Sequence, residues 1–229
     1  MGAALSSDLA TLTPPPRETL QERVYEELRA AIMGGRFLPG QTLTIRAVAA
    51  ALRTSTMPVR EALRQLVAER ALDTLANRSF GIPRLSRSRF QDVVTVRVEI
   101  EGYAAATAAK RIEPSVVDRL KEINQGLHAA EKIGDRNRYI EHNKDFHFAI
   151  YGAAGSEVLL PIIETLWLQT GPYIACIYSD SPHPKVGLKR HEGAIRALSK
   201  GDSQAARTMI AADITDAAAV ILSVAQFSD

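Results

Sequence analysis

Two groups of side chains in this 229-residue chain have types and spacing that could do chemistry. Asn143 and His147 stand four residues apart, so on a helix one lies above the other and a single ion could meet both. His191 opens a later amphipathic run, His191-Glu192-Gly193-Ala194-Ile195, and Asp213 follows 22 residues further on. An amide oxygen, two imidazoles and a carboxylate form a competent ligand set for a divalent cation. Each taken singly has a plainer reading, as a hydrogen-bonded residue of a core or a surface. The second group is the run Ser55-Thr56-Met57-Pro58-Val59-Arg60-Glu61-Ala62-Leu63-Arg64-Gln65-Leu66. Ser55 or Thr56 can cap a helix there, Pro58 needs no N–H partner in a first turn, and Val59, Leu63 and Leu66 mark one apolar face. Arg60 and Arg64 are left facing outward, where a guanidinium fork suits phosphate or guanine.

The elements that must position these groups differ between the two halves of the chain. An apolar helix over Ile45 to Leu52 precedes the arginine-bearing one by a few residues, which makes a helix-turn-helix. Upstream, Val24, Leu28, Ala31 and Ile32 give a further amphipathic helix that stops at Gly34-Gly35, and Leu38-Pro39-Gly40 reads as a turn. Downstream, Leu72 to Leu75 and Phe80 to Pro83 flank Ala76-Asn77-Arg78-Ser79, a hairpin signature. Three helices and a small β-hairpin over residues 17–84 describe a winged helix-turn-helix. Residues 85–90 read as a linker. From 91 to 229 the pattern is helical, with helices near 91–111, 114–133, 136–153, 156–178, 185–200 and 202–225. Breaks fall at Pro114, Gly134-Asp135, Gly155-Ser156, Ser179 to Pro184 and Gly201-Asp202. The fold class is therefore mainly α: a winged domain followed by an all-α antiparallel bundle, an architecture that carries ligand and metal sites between facing helices.

Charge follows the same division. Residues 17 to 89 hold thirteen arginines, no lysine and seven acids, a net of +6, whereas residues 90 to 229 hold fifteen basic and eighteen acidic groups, a net of −3. The overall +2 conceals a basic half suited to the phosphate contacts that dominate DNA affinity. Residues 1–16, rich in Ala, Ser and Thr and ending in three prolines, read as a disordered lead without the features of a secretory signal. No stretch is apolar for long enough to span a bilayer, and the single Cys176 excludes an intramolecular disulfide. These features fit a cytoplasmic location.

The run from Val24 through Pro39-Gly40 to Pro58-Val59-Arg60-Glu61-Ala62-Leu63 resembles the N-terminal domain of the GntR family of bacterial transcription regulators, and its PVREAL string resembles the FadR subfamily. The resemblance implies DNA contacts from Arg46, Ser55, Thr56, Met57 and Arg60, with Asn77 and Arg78 at the wing tip; Arg64 joins them on helical spacing. Thr56 stands where the family often has a second arginine. A second resemblance covers Arg97 to Glu101, Phe146-His147, Gly152 to Leu160, His191 to Leu198 and Gly201-Asp202 to Ile214, which look like the FCD effector-binding domain of the same subfamily. It implies one divalent metal per chain, held by Asn143, His147 and His191. Asp213 takes a place where the family usually has a third histidine, and an oxygen there shifts the site toward harder ions. Zinc ranks first, with manganese or nickel as alternatives.

The resemblance also implies a small effector, carboxylate in character, approached by Arg97, with Tyr139, Tyr173 and Lys189 as further candidates for its pocket. An Arg97–Glu101 ion pair along one helix turn is the competing use of that guanidinium. His128, His142 and His183 match no ligand position and read as surface residues. The function expected is a dimeric, ligand-responsive transcription regulator, a repressor by default, on a palindromic operator. Two alternatives stand beside it: a metal-dependent enzyme built on the His/Asp site, and an architectural DNA-binding dimer whose metal is structural.

Overall fold

A computed structural model of the protein describes residues 19–76, 79–178 and 187–228. The proposed lead 1–16, the wing-tip residues Asn77 and Arg78, and His183 lie outside the described residues.

The first helix, α1 (Leu20–Met33), begins in a capping box. Thr19 accepts from the Glu22 backbone N–H at 3.2 Å, and the Glu22 carboxylate accepts from the Thr19 N–H at 2.6 Å. It buries Val24, Leu28, Ala31 and Ile32 as their spacing predicts and ends at Gly34, with Gly35 in the left-handed region. A strand that the pattern did not suggest, β1 (Thr42–Thr44), leads directly into α2 (Ile45–Ala51), for which Thr44 is the N-cap. Then come α3 (Thr56–Ala68), β2 (Asp73–Thr74) and β3 (Ser79–Gly81). The sheet has the order β1-β3-β2, both pairs antiparallel, with Leu43 opposite Phe80. The wing is thus a three-stranded sheet rather than a hairpin alone. Three residues of β1, only one of them buried, leave too short an alternation to be seen in sequence. Ile32, Val59, Ala62, Leu63 and Leu66 are fully buried where α1 packs on α3.

Ser86 starts α4 (Arg87–Ala109) by accepting from the Arg89 N–H at 3.1 Å. Most of the expected 85–90 linker is therefore the first turn of a helix, because the cap lies four residues ahead of the apolar pattern that revealed it. The remaining helices are α5 (Pro114–Ile133), α6 (Arg136–Ala153), α7 (Leu159–Ile174), α8 (Leu188–Ser199) and α9 (Ser203–Val224). α7 carries Pro172 inside it and passes into a 3-10 turn, Ala175–Tyr178. In the bundle α4 packs on α9, α9 on α8, α8 on α5, α5 on α6 and α6 back on α4, with α7 laid against α4.

The two halves meet where α1 packs on α7. Arg29 pairs with Glu164 at 2.7 Å, both partly buried. At Gly171 a methyl group would come within 2.6 Å of the Ile32 carbonyl and 2.7 Å of the Met33 carbonyl, so this crossing requires a glycine.

Candidate functional site

The bundle gathers residues from distant helices into one buried cluster. His147 of α6, His191 of α8 and Asp213 of α9 offer ligand atoms that all lie within 4.8 Å of one another, and all three side chains are buried. The His147 Nε2 stands 3.0 Å from Asp213 Oδ2. His191 Nε2 is 3.6 Å from Asp213 Oδ1, too long for a hydrogen bond. Both ring nitrogens of His191 and Asp213 Oδ1 accordingly have no hydrogen-bond partner, although buried polar atoms are nearly always paired. The His191 ring is held by stacking on Phe146, centroids 4.0 Å apart. Burial keeps this imidazole below its ordinary pKa and so neutral, as a metal ligand must be. For Asp213 burial acts the other way, but the facing imidazoles of His191 and His147 outweigh it and hold the carboxyl well below the usual range.

Behind His147 lies a second set of partners. Its Nδ1 meets the Tyr151 hydroxyl at 2.9 Å, and that hydroxyl donates to Glu101 Oε2. Trp167 Nε1 donates to the same oxygen at 3.0 Å. Arg97 grips Glu101 from its own helix, Nε on Oε1 at 2.5 Å and Nη2 on Oε2 at 3.2 Å, while Nη1 donates to Thr170 at 3.0 Å. Its guanidinium also lies over the Trp167 ring, 4.7 Å from the centroid. The Arg97–Glu101 pair thus exists and is buried, so Arg97 is not a free cation waiting for an anion. It keeps a face on the cavity all the same: of five N–H groups three are engaged among the described residues, and two are left.

A cavity of about 40 Å³ joins these groups to an apolar chamber. Arg97, Asn143, His147 and Asp213 line its polar end; Phe90, Val94, Ile174, Ala218 and Ile221 line the other. Gly187, with φ +96°, brings the backbone against the cluster, since a methyl group there would lie 3.1 Å from Asp213 Oδ1, 3.5 Å from His191 Nε2 and 3.6 Å from the Tyr139 hydroxyl. Asn143 and Tyr139 are therefore at the site. Tyr173 and Lys189 are corrections. Tyr173 turns to the linker, its hydroxyl accepting from the Leu85 N–H at 2.7 Å, and Lys189 is exposed on α8 away from the cavity lining. The contributions of Glu101, Tyr151, Thr170 and Gly187 escaped the sequence; for Tyr151 the signal was available, four residues after His147 on the same helix face. His128, near Glu192 at 3.3 Å, and His142, against Gly126, stand apart from the cluster.

At the DNA-reading end, Arg46, Ser55, Thr56, Met57 and Arg64 are exposed, and Arg60 is half-buried. Ser55 has the N-cap backbone conformation of α3 but makes no cap hydrogen bond, which leaves its hydroxyl available. Arg64 pairs with Glu61 at 2.9 Å, an exposed contact of little strength that a phosphate could displace.

Comparison with known proteins gives this arrangement its place. Residues 20–82 match the model of the bacterial regulatory proteins of the gntR family, and residues 92–216 match the FCD domain. The chain belongs to the GntR family, in the group that carries an FCD domain. Its relatives include the HTH-type transcriptional regulator McbR of Escherichia coli (strain K12), 28% identical over 195 residues that cover 84% of this chain and 88% of McbR. A probable D-xylose utilization operon transcriptional repressor of Paenarthrobacter nicotinovorans is 26% identical over 193 residues, 83% of each protein. Among solved structures, E. coli McbR/YncC superposes with a TM-score of 0.84 at 27% identity, covering 89% of this chain and 97% of that one. A GntR regulator from Rhodococcus sp. RHA1, at 23% identity, shares the fold with a TM-score of 0.71. This GntR protein is a regulator and not an enzyme, which removes the hydrolytic reading of the His/Asp site. No helix among its described residues is long and apolar enough to cross a membrane.

Proposed function

We propose that this GntR protein is a cytoplasmic, homodimeric repressor that binds a palindromic operator through its winged domains and is controlled by a small carboxylate bound beside a divalent metal in the bundle. The observation that carries the reading is the cluster itself, two imidazoles and a carboxylate buried together with three polar atoms left unpaired. Such orphaned groups are costly unless something binds them, and the donor set fits a metal. His147, His191 and Asp213 would hold the ion, with Asn143 at the rim of the same cavity. When bound, the ion supplies positive charge that an anion can meet.

The residues of the chain do the rest. Tyr151 and Glu101 fix the His147 ring so that Nε2 faces Asp213. Arg97, neutralised by Glu101, offers its two remaining N–H groups as donors rather than as net charge. The apolar chamber favours an effector with a hydrocarbon portion over one that is charged throughout. Binding of effector and of DNA are then linked reciprocally, and the effector acts only through its different affinity for two arrangements of the winged domains.

The test is to recover genomic fragments bound by the purified protein and repeat the binding by gel shift with zinc and a panel of carboxylates. Release of a palindromic fragment by a carboxylate only when metal is present supports the reading. Fragments bound equally with and without metal and every carboxylate would leave an architectural DNA-binding dimer with a structural metal.

A further inference from the structure

Beside the cavity, the segment that follows α9 crosses back over the junction between the two domains. Ser228 donates its backbone N–H to the Leu85 carbonyl at 3.0 Å and its hydroxyl to the Arg84 carbonyl at 3.0 Å, forming a parallel bridge at Ser86. From the other side the Leu85 N–H is held by the Tyr173 hydroxyl. The Phe227 ring stacks on Tyr173, centroids 5.4 Å apart and planes 14° from parallel, and tilts on Phe90 at 5.4 Å. Phe90 and Tyr173 touch at 5.2 Å, and Arg87 covers the outer face of Phe227 at 5.1 Å. The linker is thus gripped on both edges of its backbone at the only place where the chain passes from one domain to the other.

One ring of this cluster, Phe90, also faces the cavity, and so do Ile174, next to Tyr173, and Ile221, one turn before the strap begins. At about 40 Å³ the chamber has room for roughly three water molecules. A group that fills the part lined by Phe90 and Ile221 presses on those side chains, since closely packed side chains compress little. At the polar end His147 is tied through Tyr151 to Glu101, whereas Phe90 is held by ring contacts with Tyr173 and with the half-buried Phe227.

We propose that residues 225–228 are a strap that clamps the interdomain linker, and that filling the apolar end of the cavity displaces Phe90 against Phe227 and opens it. The strap stands on geometry alone; its meaning as a signal rests on the ligand-responsive reading above, so the test needs no ligand. The full chain is digested with trypsin, and cleavage after Arg84 is followed by mass spectrometry with helix content checked by circular dichroism. Phe227→Ala removes the stacked ring, and cleavage that tracks the population of the open form should quicken on the order of tenfold. Tyr173→Phe, which removes the acceptor for Leu85 and keeps the ring, should quicken it by a smaller factor. Ala218→Leu fills the cavity in place of a ligand; it should quicken cleavage in the otherwise native chain and add nothing to Phe227→Ala, because both act through one element.

Cleavage at the native rate in Phe227→Ala and Tyr173→Phe would overturn the clamp. An Ala218→Leu effect that is absent, or that adds in full to Phe227→Ala, would overturn the coupling while leaving the clamp. If Phe227→Ala loses helix content, the Tyr173→Phe and Ala218→Leu pair decides alone. Should the strap pass these tests while zinc and carboxylates leave cleavage after Arg84 unchanged, the ligand reading fails and the strap stands.

Discussion

At the scale of single residues, the site is organised by what each buried polar atom lacks. His191 has no hydrogen-bond partner at either nitrogen and packs against the Phe146 and His147 rings, with Asp213 Oδ1 3.6 Å from its Nε2. Replacing His147 and His191 by alanine should therefore abolish metal retention, measured by elemental analysis after dialysis, and full retention would refute the site. The neutral state of His191 has a consequence in metal-free protein kept with a chelator. Its folded pKa lies below the ordinary 6.5, so the unfolded chain takes up a proton that the folded chain refuses. The stability this supplies is complete above pH 6.5 and falls as the pH drops below it. The melting temperature should decline between pH 7 and pH 5.5, and less so in His191→Gln; identical profiles would contradict a buried neutral imidazole. Arg97→Ala should do more than weaken effector binding. It strands the Glu101 carboxylate in the core, a change that typically costs about 3–5 kcal/mol, and the melting temperature should show it.

At the scale of elements, α3 and α4 show how a local signal sets a boundary. α3 presents Arg60 from a helix whose opposite face, Val59, Ala62, Leu63 and Leu66, is wholly buried, so its orientation is set by packing and the arginine can be removed without disturbing it. Arg60→Ala should lose binding to the recovered operator by a factor of about ten or more, with an unchanged melting curve; normal binding would sink the assignment of α3 as the reading helix. The helix spans were legible from their apolar period and their caps. Pro114, Asp135 and Asp202 each stand at a boundary that the structure realises. Boundaries were missed where a capping residue stands outside the pattern, as Ser86 does for α4, and β1 was missed because three residues cannot display an alternation.

At the scale of the molecule, the winged domain and the bundle are joined twice, by α1 on α7 and by the strapped linker. Gly171 lies at the first joint, where a methyl group would meet backbone carbonyls that cannot step aside. Gly171→Ala should undock α1 from α7 and leave each domain folded, turning one melting transition into two and raising the radius of gyration in solution scattering. A single unchanged transition would show that the joint has room to adjust.

The sequence by itself determined the class of each domain and the charge division, because helical periodicity, caps and charge are local properties of consecutive residues, and it put forward a reading helix and four metal candidates, Asn143, His147, His191 and Asp213. The i,i+4 relation even announced the Arg97–Glu101 pair. Tertiary structure alone decided that Asp213 meets His147 and His191, since residues on three helices come together only when α6, α8 and α9 pack. It decided likewise that Tyr173 serves the linker rather than the pocket, that Glu101 sits behind His147, and that Phe227 closes over Phe90. Those contacts join positions 22 to 137 residues apart, and nothing in the local pattern of either partner encodes the other.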